Sequence, residues 1–190
     1  MEGNEVFMSK VYAFLADGFE ETEAIAVIDV LLRGDIQVKT VSINDTTKVT
    51  GVHGIVMMAD QTIEETDMDD ADMLFLPGGV PGTPNLAANE KLTNALIKYN
   101  QSGKRIAAIC AAPYILGELG FLKGREATVF PGFEDKLEGA KEYTRAGVVT
   151  DGHITTARGM GVAIDLGLEL VSLLKDKELA DEVAKRIQLV

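Results

Sequence analysis

Tryptophan is absent from the 190 residues, cysteine occurs once and histidine twice, and Lys plus Arg number 18 against 30 for Asp plus Glu. Each scarcity closes off a class of function. A single cysteine forbids an intrachain disulfide, which suits a reducing compartment better than a stapled secreted scaffold. One cysteine and two histidines far apart in the chain provide no metal-ligand spacing, so no metal centre is expected. A net charge of −12 holds no attraction for phosphate backbones or anionic lipid, and no Lys/Arg stripe occurs locally. No specific nucleic acid is therefore expected as a partner. No apolar run nears the roughly 20 residues that span a bilayer, and "MEGNEVFMSK" lacks the basic start and apolar core of a secretory leader. The expectation is a soluble, cytoplasmic protein with no membrane association, residues 1–8 forming a flexible extension and residues 9–190 one domain.

What is present is apolar residue, 46% of the chain, in short patterned runs. "KVYAFLA" (Lys10 to Ala16), "IQVKTVSI" (Ile36 to Ile43), "ADMLFLPGG" (Ala71 to Gly79) and "KRIAAIC" (Lys104 to Cys110) read as buried strands. Between them, "FEETEAIAVIDVLLRG" and "NEKLTNALIKYNQSG" carry apolar residues at helical spacing, each closed by a glycine. "KVTGVHGIVMMADQTI" reads as a hairpin or arm at a sheet edge, with Met57 and Met58 as interface or core packing. "AAPYILGELG" suits a helix, "EATVF", "AGVVT" and "HITTA" are β-like, and one long and one shorter helix close the chain. Alternating strands and helices predict a flavodoxin-like, doubly wound α/β fold, its mostly parallel sheet sandwiched by helices.

In such sheets ligands bind beyond the carboxyl ends of the strands, which selects the loops "ADGFEETE", "LPGGVPGTPN" and "ICAAP". A strand that runs straight into a helix through one residue has the geometry of a nucleophile elbow, whose flanking positions must be small. Here they are Ala108 and Ala112. Cys110 is thus either a nucleophile at a helix N-terminus, its thiol pKa lowered by the dipole, or a small buried hydrophobe. Gly79 can present a backbone N–H to a developing negative charge, with the Ala111 N–H as a second donor; the glycines can equally form a tight turn or a phosphate nest. Glu23 shares the apolar side of the first helix with Val27, four residues on, whereas Glu20 and Glu21 read as solvated caps. A protonated Glu23 could hydrogen-bond the Cys110 sulfur or shuttle a proton. Neither His53 nor His153 falls in a loop that must adjoin the cysteine.

Taken in order, "DGFEETEA", "IDVLLRGDI", "LPGG", "AAICAAP", "FPGFEDKL" and "TARGMGVAIDLGLELV" resemble the ThiJ/PfpI superfamily, in particular its YajL-like, Parkinson-disease-protein (protein deglycase) branch. The resemblance runs from about Ser9 to the C-terminus and implies a class I glutamine amidotransferase-like domain. It puts the family's nucleophilic cysteine on Cys110, its protonated glutamate on Glu23, and its backbone oxyanion donors on Gly79 and Ala111. It also implies a homodimer whose interface lies beside the site, with Arg33 and His53 near it. The sequence departs from the protease branch, where a histidine directly follows the cysteine and Ala111 stands here. Another branch has a histidine at the position of Phe130. A Cys–His protease or amidase therefore lacks its base, and no residue supports a thiamine-pathway role. The implied activity is that of a cofactor-independent cysteine enzyme of glyoxalase III or deglycase type, acting on methylglyoxal, glyoxal or their adducts on amines and thiols. The competing expectations are an oxidative-stress sensor or redox-regulated chaperone that oxidises Cys110 to a sulfinate held by Glu23, and a small-ligand binder with no chemistry.

Overall fold

The computed structural model describes residues 9–143 and 146–190; the expected N-terminal extension lies outside them. Strand β1 (Lys10–Leu15) leads into helix α1 (Glu21–Arg33), then β2 (Gln37–Ser42), the arm strands β3 (Lys48–Thr50) and β4 (Val56–Met58), and β5 (Gln61–Thr62). There follow β6 (Met73–Leu76), α2 (Gly82–Ala88), α3 (Glu90–Ser102), β7 (Arg105–Ile109) and α4 (Pro113–Glu118). The last third holds β8 (Glu126–Ala127), β9 (Glu142–Tyr143), β10 (Val148–Asp151), β11 (Ile154–Ala157), α5 (Ala163–Leu174) and α6 (Lys177–Arg186). Seven strands form one sheet in the order β10-β11-β7-β6-β1-β2-β5. All neighbours run parallel except β10, which pairs antiparallel with β11. This is the expected flavodoxin-like architecture.

The two-residue period of the strands explains how one sheet builds two cores. Tyr12 and Phe14 of β1, with Leu74 and Leu76 of β6, pack under α2, α3 and α4. Their alternates Val11, Ala13, Met73 and Phe75 pack under α1, α5 and α6. Strands covered on both faces must be apolar throughout, which is why they read as continuous runs. Helix α3 starts where Asn89 accepts a hydrogen bond from the Leu92 N–H and stops at left-handed Gly103.

Helices α1 and α5 meet through two glycine notches. A Cβ on Gly167 would lie 2.7 Å from Val30 Cβ, and one on Gly34 would lie 2.6 Å from Val171 Cγ2. Each helix therefore seats a valine of the other against bare backbone, at the close range that only glycine permits. The arm β3–β4 is a separate antiparallel pair, and β5 beyond it joins the sheet at the edge beside β2. Helix α2 lies inside the segment expected to be a loop. Pro84 falls in its first turn, where a missing N–H costs nothing because no intrahelical acceptor is waiting. No helix among the described residues is long and apolar enough to cross a membrane.

Candidate functional site

The connection after β1 leaves toward β2, and that after β6 leaves toward β7 on the other side, so the chain changes direction between β1 and β6. The loops at these strand ends are joined by backbone bonds. The Glu20 N–H donates to Gly78 O at 2.9 Å, and the Gly82 N–H donates to Gly18 O at 3.0 Å. A crevice at such a switch point is where open α/β sheets bind ligands.

Cys110 follows β7 with φ of +65°, left-handed backbone in a residue that carries a side chain. Such a conformation costs about 1–3 kcal/mol and persists only where the surroundings enforce it. Here the Cys110 N–H donates to Ala157 O and its carbonyl accepts from the Phe130 N–H, both at 2.8 Å. These bonds tie the elbow to the end of β11 and to the loop after β8. Ala108 and Ala112 are fully buried, as the elbow requires.

Glu23, in the first turn of α1, is 1% exposed. Its Oε2 accepts the Gly78 N–H at 3.0 Å, and its carboxylate also receives the Met160 N–H and the Cys110 side chain. Burial, joined by the nearby charge of Glu20, raises its pKa to about 7. The N–H groups of Gly79 and Ala111 both hydrogen-bond the Cys110 side chain. The fold thus gathers Cys110, Glu23, Gly79 and Ala111 around one sulfur.

The expected low thiol pKa is overturned. Burial first, then the charge of Glu23 and its hydrogen bond, push the Cys110 thiol up to about 12, and the two N–H groups pull the other way without prevailing. The helix that was to supply the dipole has only six residues, and no side chain caps its start. Cys110 and Glu23 face each other across one hydrogen bond and titrate as a coupled pair.

Glu20 is the cap expected of it and is half-buried, whereas the reading of Glu21 as solvated is corrected. Glu20 caps α1, its Oε2 accepting the Glu23 N–H at 2.6 Å. Glu21 is 3% exposed. Its Oε1 accepts the N–H groups of His53 and Ile55 at 2.8 and 3.3 Å, and its Oε2 lies 2.8 Å from His53 Nδ1. Burial works to raise the Glu21 pKa, but the His53 ring and these N–H groups outweigh it and hold the carboxyl below its usual range. His53 therefore anchors the arm to α1. Arg33, paired with Asp29, lies ten residues along α1 from Glu23, about 15 Å at helical rise, so one chain does not bring it to the sulfur. Among the described residues, Glu20, Glu21 and His53 place ligand atoms within 4.8 Å of one another. Their oxygens already accept the protein's own donors, which leaves the trio a poor fit to an ion.

Two functional positions escaped sequence reasoning. A Cβ on Gly78 would lie 2.5 Å from both Cys110 Cβ and Glu23 Oε2, so glycine is required where the two side chains meet. Met160 acts through its backbone, and no residue type advertises that role.

A mostly parallel α/β sandwich, with a left-handed cysteine at a strand-to-helix elbow and a buried carboxylate bonded to it, defines the class of protein. The chain belongs to the DJ-1/PfpI family, whose model matches residues 9–173. It is 37% identical over 185 residues to Protein DJ-1 homolog A of Arabidopsis thaliana, covering 96% of this chain and 47% of that one. It is 36% identical over 168 residues to a Thermococcus kodakarensis protein named a deglycase, covering 87% of this chain and 99% of that one. The chain thus spans about half the length of the plant relative and nearly all of the archaeal one. Oxidised DJ-1 of Toxoplasma gondii superposes with a TM-score of 0.91 at 32% identity, over 95% of this chain and 98% of that one.

Proposed function

We propose that this protein is a cofactor-independent cysteine enzyme of glyoxalase III or deglycase type, acting on reactive 1,2-dicarbonyls. The observation that carries the reading is the Cys110–Glu23 pair, in which a thiol is bonded to a buried carboxylate of pKa about 7. A base works best when its pKa lies near the working pH, and Glu23 is so placed. Sulfur adds to the aldehyde carbon as its proton passes to Glu23, and Glu23 hands that proton to the new oxyanion, giving a hemithioacetal and a free carboxylate. The N–H groups of Gly79 and Ala111 stabilise that oxyanion. Glu23 then removes the proton from the former aldehyde carbon and returns it to the neighbouring carbonyl carbon, while the hydroxyl proton passes to the neighbouring oxygen, leaving a thioester of a 2-hydroxy acid. Water cleaves the C–S bond, which releases the acid and restores the thiol. The sum is dicarbonyl plus water to hydroxy acid, with no change in overall oxidation state. The archaeal relative's name is consistent with carbonyl chemistry.

Cys110→Ser is expected to lower lactate formation from methylglyoxal by at least about 10³-fold; retention of full turnover would remove the basis of the reading. A second reading, oxidation of Cys110 to a sulfinate held by Glu23, draws on the same donors and on the relative solved in oxidised form. Selective gain of two oxygens at Cys110 under peroxide, with negligible aldehyde turnover, would favour it.

A second copy of the chain fits the outer face of α1. There a groove of about 660 Å³ is lined by Ile25, Val30, Ile55 and Ile164, with Asp29 and Arg33 at the same face. Ile25 and Ile55 are 44% and 54% exposed. A patch that carries both charge signs can pair with itself about a two-fold axis. Ile55→Glu is expected to halve the mass seen in sedimentation, and an unchanged mass rules out this face.

A further inference from the structure

Three large apolar residues with exposed side chains belong to the backbone segments that frame the part-buried Cys110. Val80 is 55% exposed, Phe130 46% and Met160 54%. Each is held there by a backbone group of the site. Val80 follows Gly79, whose N–H bonds the Cys110 side chain. The Phe130 N–H donates to the Cys110 carbonyl at 2.8 Å. The Met160 N–H bonds the Glu23 carboxylate. The Phe130 ring lies along the same segment as Met160, since a Cβ on Gly159 would be 3.3 Å from Phe130 Cδ2. The backbones that carry the three side chains are therefore held beside the elbow.

Exposed apolar side chains at scattered surface sites need no explanation, but three carried by the backbone segments around one part-exposed sulfur call for one. We propose that Val80, Phe130 and Met160 form an apolar rim that sets substrate preference, favouring 1,2-dicarbonyls that carry an aromatic or branched apolar group over glyoxal, which carries none. The inference rests on the carbonyl reading above. When sulfur bonds to the aldehyde carbon, the strand ends and Glu23 are buried, so the second carbonyl and its substituent are left to the exposed side of the elbow, where the rim residues are carried. A phenyl ring there covers the three side chains and is covered by them. Apolar contacts of this size discriminate by about 10–200-fold. Removing one rim member removes part of that factor while the sulfur, the acid and the N–H donors stay in place.

The test compares phenylglyoxal with glyoxal in the wild type and in Phe130→Ser, Met160→Ser and Phe130→Leu. The readout is the ratio of kcat/KM for the two substrates within each protein, so that intrinsic electrophilicity and general losses of activity cancel between proteins. The ratio is expected to fall at least about fivefold in each serine variant and to be largely kept in Phe130→Leu. An unchanged ratio in the serine variants, with both aldehydes still turned over, overturns the rim and leaves the carbonyl reading intact. If neither aldehyde is turned over by the wild type, the carbonyl reading fails, and the rim is judged by alkylation of Cys110 with N-benzyliodoacetamide and iodoacetamide. The two reagents share one reacting carbon, so thiol ionisation cancels from their rate ratio. A ratio that drops in Phe130→Ser and Met160→Ser upholds an apolar rim over the sulfur, and a ratio equal in all four proteins refutes it.

Discussion

Glu21 and Glu23 sit two residues apart in the first turn of α1, and both are almost fully buried, at 3% and 1% exposure. Their acidities nevertheless move in opposite directions, Glu21 below its usual value and Glu23 up to about 7. Burial pushes both upward, but Glu23 lies the deeper of the two, and the partners widen the difference. Glu21 meets two N–H groups and an imidazole ring, all donors to a charged carboxylate. Glu23 meets two N–H groups and a thiol, but also the charge of Glu20. One glutamate holds the arm and the other faces the sulfur, and helix position alone does not distinguish them.

Glu23→Gln cuts the comparison at its more consequential end. It removes the proton acceptor, and aldehyde turnover is expected to fall about 10²–10⁴-fold in a kcat/KM assay. In the wild type the same assay should rise with pH through about 7 as Glu23 loses its proton. The stability effect has the opposite sense. A carboxyl whose folded pKa is raised contributes most below its unfolded value, near 4.5, and that contribution is lost as pH rises through about 7. The wild type is therefore expected to lose ~2–3 kcal/mol from this group between pH 4.5 and 8, and Glu23→Gln to lack that loss. Urea unfolding at pH 5 and pH 8 reads the difference, and parallel curves for the two proteins would contradict it.

Glu21→Gln probes the other end with a smaller effect. It is expected to leave turnover within about threefold while destabilising the fold at pH 7 by about 1–2 kcal/mol, because hydrogen bonds to a charged acceptor are replaced by weaker ones. A lowered folded pKa gives stability that is present above the ordinary carboxylate range and lost as pH falls below it. The gap between this variant and the wild type should then close in acid. A gap that widened in acid would show that the carboxylate is not what holds the arm.

The difference between the two glutamates also marks what could be read from residues in order. The placement of Cys110, Ala108, Ala112 and Glu23 was legible because local spacing carries it: a strand running into a helix, small neighbours, and a carboxylate one turn before Val27. The strands were legible because both faces are buried and the runs are uniformly apolar. Glu21 was misread because its partners, His53 and Ile55, arrive from an arm more than 30 residues later in the chain. The acidity of Cys110 was misread for the same reason. Helix-end reasoning is local, whereas burial and the Glu23 charge come from packing. Helix α2 was hidden by Pro81, Gly82 and Pro84, residues that usually punctuate loops and here occupy the start of a helix, where they are tolerated.

The glycine notches between α1 and α5 bear on how this chain can drift. Glu23 rides on α1, and the Met160 N–H that holds it lies just ahead of α5, so the seating of Val30 on Gly167 and of Val171 on Gly34 sets the separation between two parts of the site. Gly167 is seven residues along the chain from Met160, about 10 Å at helical rise. These four positions act as a gauge block behind the chemistry. A larger residue on one helix would demand a smaller one opposite it, so substitutions here are expected to arise in matched pairs among relatives that keep the cysteine and its acid in register.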